Sequence, residues 1–77
     1  MSTFEKVKEL IVDTLNFDEA DITMEVDLIK DLDADSIDAV ELVMAIEEEY
    51  GLEIPEEEVG NLTKVGALVE YIDSHKE

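Results

Sequence analysis

Between residues 3 and 16, apolar side chains return every three or four positions, at Phe4, Val7, Leu10, Ile11 and Leu15. That period is helical. Ser2 and Glu5 stand ahead of it at capping-box spacing, so a helix is predicted over Thr3–Asn16. The period then lapses. Residues 17–35 contain Ile22, Val26, Leu28, Ile29 and Leu32 without a sustained repeat. A loop this long is unusual in a compact domain, so its aliphatics are expected to pin it along the core, with one helical turn near Val26 to Ile29.

A second helix is predicted over Ser36–Tyr50, with Gly51 just past its end as a left-handed cap. Pro55 suits the first position of a short helix whose Glu56 to Glu58 complement the N-terminal dipole and which Gly60 would close. Thr63 is expected to cap a last helix with a core face of Val65, Leu68, Val69 and Ile72, and Gly66 reads as a mild defect in its first turn. No segment reads as a strand. The expected fold is all-α, a small bundle of three main helices plus one short helix, with a long loop between the first two. Residues 1–77 are expected to form a single domain, because the length suits one small core and no more.

The second helix has more apolar surface than a bundle needs. Wound at about 100° per residue, Ala39, Leu42, Val43, Ile46 and Tyr50 fall within an arc of about 100°, the width of a core-facing stripe. Ile37, Val40 and Met44 gather on nearly the opposite side, flanked by Glu41, Glu47 and Glu48. That second cluster either covers neighbouring loops or forms a docking face. Docking is the preferred reading: aliphatic anchors and an adaptable methionine supply contact area, and the glutamates steer a basic partner.

Charge strengthens this picture. The chain carries 23 acidic and 5 basic residues, a formal net charge of −18. No lysine or arginine occurs from residue 31 to residue 63, although Glu–Lys pairs would have supported the helices there. Such a surface repels nucleic acid and anionic membranes and favours proteins with basic patches. Cysteine is absent, which excludes disulfides, thiolate zinc sites and a thiol nucleophile. With no signal-peptide run and no membrane-spanning stretch, a monomer in the cytoplasm without membrane insertion is expected.

The segment Lys30 to Leu42, KDLDADSIDAVEL, concentrates the candidate chemistry. Asp31, Asp33 and Asp35 match the first three ligand positions of a helix-loop-helix calcium site. Such a loop needs glycine at its sixth position and a glutamate at its twelfth. Here those positions hold Ser36 and Leu42, and Leu42 belongs to the core stripe, so no dedicated metal site is expected. Nor does Ser36 read as a catalytic nucleophile. The only histidine, His75, lies near the C-terminus, no arginine exists, and Asp33, Asp35 and Asp38 oppose developing negative charge. No catalytic residues are assigned. Asp35 or Ser36 is expected to be the N-cap, an ordinary structural role worth about 1 kcal/mol. A serine there is also exposed for covalent modification. A phosphate ester on it would meet unpaired helix amides, whereas free phosphate would be repelled by the surrounding aspartates.

At these residues the sequence resembles the acyl carrier proteins, in particular the free-standing carriers of bacterial fatty-acid synthesis. Asp35-Ser36-Ile37 matches their Asp-Ser-Leu modification motif, and the likeness continues through VELVMAIEEEYGLEIPEEE, Val40 to Glu58. Length, helix layout and acidity agree along the whole chain. The resemblance implies that a phosphopantetheinyl transferase moves 4′-phosphopantetheine from coenzyme A onto Ser36. It implies that the thiol ending this arm carries acyl chains as thioesters between enzymes of fatty acid biosynthesis, and that the chain is a carrier, not an enzyme. A cysteine-free chain would gain its sulfur in this way. The family's partner-recognition positions fall on Asp35, Ile37, Asp38, Val40, Glu41, Met44, Glu47 and Glu48. Leu42, Ile46, Ile54, Leu62 and Leu68 are expected to shelter the acyl chain. Two departures flank Ser36: Asp33 stands where the family usually has glycine, and Ile37 replaces its leucine. Carriers of polyketide, aminoacyl or cell-wall routes would share the same serine and helix.

Overall fold

A computed structural model describes residues 2–75. Its helices are α1 (Thr3–Leu15), α2 (Ser36–Tyr50), the single-turn α3 (Glu56–Val59) and α4 (Val65–His75), with a 3-10 turn at Glu19–Asp21. The predicted bundle of three main helices and one short one is what forms. Among the described residues there is no strand, only one bridge between Asp27 and Lys64.

The first helix starts and stops as its sequence directs. Ser2 Oγ accepts from the Glu5 amide while Glu5 reaches back to the Ser2 amide, completing the capping box. Asn16 ends the helix in the left-handed conformation, its N–H donating to Val12 O. Val7 and Ile11 are fully buried, and α1 packs against both α2 and α4. Lys6 ties α1 to α2 through Glu49 at 3.3 Å, and this pairing raises the lysine pKa. Thr3 joins the start of α1 to Asp73 near the end of α4.

In α2, Ala39, Leu42, Val43 and Ile46 are buried and Tyr50 is half-buried, as the winding of the sequence requires. Gly51 takes the left-handed cap with φ 64°. Val65, Leu68, Val69 and Ile72 of α4 complete the core with Val7 and Ile11 of α1.

Four local expectations need correction. The long loop holds the 3-10 turn at Glu19–Asp21, capped by Asp18. One hydrogen-bonded turn runs from Asp27 to Asp31, where the Asp31 amide donates to Asp27 O, starting one residue later than the turn expected near Val26 to Ile29, and another runs from Thr23 to Val26. Pro55 is the N-cap of α3 and not its first residue; its extended ψ of 141° lets the chain enter the helix from outside. Thr63 does not cap α4. Its hydroxyl donates to Asp27 Oδ2 at 3.1 Å, and two leading amides of α4 are satisfied by the loop instead, Val65 N donating to Val26 O and Gly66 N to Met24 O.

That arrangement also explains Gly66. A Cβ there would lie 2.8 Å from the Met24 carbonyl oxygen, the acceptor for the residue's own amide. What reads in sequence as a helix defect is the place where loop backbone and helix backbone meet.

Candidate functional site

Ser36 is the first residue of α2, and the cap ahead of it is Asp35. Asp35 Oδ1 accepts from the Asp38 amide at 2.9 Å and Asp38 Oδ2 accepts from the Asp35 amide at 3.3 Å. The two aspartates therefore fix each other and leave the serine uncommitted. Ser36 is exposed, and no described residue hydrogen-bonds its hydroxyl. Just upstream, Asp33 has φ 58°, the left-handed region that glycine enters without strain. A short acidic side chain is among the few others that tolerate it.

Beside Ser36 lies a groove of about 310 Å³. Its lining comes from Ser36, Ala39 and Val40 of α2, from Ile29 and Thr63, taken together as one wall, and from Glu56, Val59 and Gly60 in and just after α3, taken as the other. Apart from the Ser36 and Thr63 hydroxyls and Glu56, its lining is aliphatic or glycine, so it suits an unbranched organic chain better than an anion.

The two walls are held differently. Ile29 and Thr63 are tied through Asp27, whose carboxylate accepts from the amides of Ile29 and Lys30, both at 2.9 Å, and from the Thr63 hydroxyl. These bonds, that from the Lys30 amide foremost, hold the Asp27 carboxyl below its ordinary pKa. Backbone bonds from Leu28 N to Thr63 O and from Ala34 N to Leu28 O extend the seam. Opposite, α3 has no side-chain cap, and the connection into it is held by Ile54 N donating to Glu47 Oε2 at 2.8 Å.

Ile37, Val40 and Met44 are 66%, 47% and 60% exposed, so the second face of α2 covers no loop. Asp35, Glu41 and Glu48 are exposed beside them, and Asp38 is half-buried. Glu47 is half-buried as well, with one oxygen committed to Ile54. Leu42, Ile46, Ile54, Leu62 and Leu68 all lie in the core and away from the groove lining. Among the described residues no acidic or histidine cluster has the geometry to hold a metal ion, and no helix is long and apolar enough to cross a membrane.

Asp27 and the second wall escaped sequence reading. An aspartate followed two residues later by an accepted amide is a recognisable turn device, so half of the Asp27 hub had a signal. Its link to Thr63, 36 residues away, had none.

A family described as "Phosphopantetheine attachment site" matches residues 5–72. An acyl carrier protein of Clostridium acetobutylicum is 51% identical over 74 residues, 96% of either chain. Acyl carrier proteins of Helicobacter acinonychis and Helicobacter pylori (strain G27) are each 46% identical over 76 residues, covering 99% of this chain and 97% of theirs.

Proposed function

The chain belongs to the acyl carrier proteins, and we propose that Ser36 is the residue on which it bears 4′-phosphopantetheine. It is a carrier and not a catalyst. When bound, the group supplies a thiol that holds acyl chains as thioesters. The observation that carries the site assignment is the placement of Ser36: an exposed hydroxyl without a hydrogen-bond partner, at a helix start held by its neighbours, beside an aliphatic groove.

The residues around it suit this work. Asp35 and Asp38 hold the first turn by bonding each other, so the Ser36 hydroxyl stays free for a transferase. The first-turn amides of α2 favour a covalently held phosphate there. Interaction with a transferase and with acyl-processing enzymes follows from the carrier role. Their docking surfaces are basic patches: Glu41, Glu48 and Asp35 attract them at long range, and Ile37, Val40 and Met44 form the dry contact. The pathway is fatty acid biosynthesis, and the carrier works as a monomeric single domain in the cytoplasm.

An acyl chain lies first along Ala39, Val40, Ile29 and Val59 in the groove. The deeper shelter of Leu42, Ile46, Ile54, Leu62 and Leu68 requires those core side chains to part. Each methylene so buried contributes at most about 0.8 kcal/mol, which favours longer chains and keeps shelter reversible.

The site is tested by loading. Wild type incubated with coenzyme A and a phosphopantetheinyl transferase should gain one prosthetic group by intact mass, and Ser36→Ala none; loading of the alanine variant would refute the assignment. For docking, Glu41→Lys should slow association with the transferase at low ionic strength, with the gap closing as salt is added. An equal rate at low salt would contradict steering.

A further inference from the structure

Glu47 belongs to two structures at once. It stands on α2 among the docking residues, and its Oε2 accepts from the amide of Ile54, a core residue, at 2.8 Å. Residues 51–55 lead from α2 into α3, and α3 supplies one wall of the groove beside Ser36. Among side-chain hydrogen bonds of described residues, this is the one that fastens the connection. The opposite wall is secured at several points through Asp27 and owes nothing to the docking face.

We propose that Glu47 is a positioning residue that couples docking to the groove: a partner's cation on its carboxylate loosens the grip on Ile54 and lets the α3 wall yield. The inference rests on the docking face described above. A carboxylate bonds an amide more strongly than a neutral acceptor does, because its full charge is available to the donor. A guanidinium or ammonium group drawn to Glu47 takes up part of that charge and turns the carboxylate toward itself. The Ile54 amide then keeps a weaker acceptor, and the segment 51–60 opens more often. Coupling of this kind is reciprocal, so a carrier with its α3 wall displaced holds a basic partner more tightly. Glu48, one residue on, is exposed and bonds no backbone amide in the structure; it contributes charge without coupling.

The test is residue-resolved amide hydrogen exchange on the prosthetic-group-bearing carrier, alone and saturated with the transferase. In wild type, exchange at Ile54 should accelerate about five- to tenfold on binding, while Ala34 in the fixed wall stays unchanged. Glu47→Gln keeps an acceptor oxygen without the charge. In that variant Ile54 should exchange faster from the start and gain nothing further from the partner, whereas Glu48→Gln should respond as wild type does. Unchanged or slowed Ile54 exchange in wild type on binding would overturn the coupling, as would a Glu47→Gln response equal to wild type. The docking premise fails separately, through an association rate that Val40→Asp leaves untouched.

Discussion

The groove beside Ser36 has one wall tied by several side-chain hydrogen bonds and one tied by a single such bond. Both are short segments joined to a helix start. At the locked wall, Asp27 gathers two amides and the Thr63 hydroxyl, and Val26 and Met24 lend carbonyls to the first amides of α4. At the other, α3 is a single turn whose start has no side-chain cap, fastened by one carboxylate on α2. Segments rich in mutual hydrogen bonds open rarely, and those with few open often. Under the proposed function that difference is useful: the locked wall would keep Ser36 presented in one place, while the weaker one would admit and release an acyl chain.

The largest effect should come from unlocking the fixed wall. Asp27→Ala leaves three donors without their acceptor and should lower stability by about 2–3 kcal/mol, allowing for the screening of a partly exposed site, read as a shift in denaturant midpoint. Acid should erase part of the same difference. The Asp27 pKa is lowered in the folded state, chiefly by the Lys30 amide, so its contribution is complete above the ordinary aspartate range and is lost as pH falls through the lowered value. The gap between wild type and Asp27→Ala should therefore narrow at strongly acidic pH. A gap that is constant down the titration would show that the carboxylate charge is not what holds this wall.

Gly66→Ala attacks the same seam from α4. The added methyl meets the Met24 carbonyl, a backbone atom that can yield only by weakening its bond to the Gly66 amide. Overpacking of this kind, less the gain in helix propensity, should cost about 1–2 kcal/mol in thermal or denaturant unfolding. Smallest is Asp33→Gly. It relieves the left-handed backbone ahead of Ser36 but loosens the unfolded chain, for a net gain of about 0.5 kcal/mol or less in the same assay.

The sequence was informative wherever a property repeats locally. Helical periodicity marked the three long helices, capping residues marked the start of α1 and the end of α2, and winding Ser36–Tyr50 separated the core stripe from the exposed Ile37, Val40 and Met44. Resemblance supplied the role proposed for Ser36, and the glycine that the family usually has at the position of Asp33 suits the positive φ there. What stayed hidden depends on contacts between distant positions. Thr63 looked like a helix cap because nothing local revealed Asp27 as its partner, and Gly66 looked like a defect because Met24 lies far from it in the chain. Glu47 reads from the sequence as a docking-face charge alone, since its bond to Ile54 requires the turn at Gly51 to bring the two together.

The claim that joins these observations is that the groove beside Ser36 opens from the α3 side. Amide hydrogen exchange across the prosthetic-group-bearing protein, with no partner present, tests it directly. The amides of Leu28, Ala34, Val65 and Gly66, all bonded within the fixed wall, should exchange at least about tenfold more slowly than those of Ile54, Glu58 and Asn61 around α3. Equal protection on both sides, or slower exchange around α3, would contradict the account.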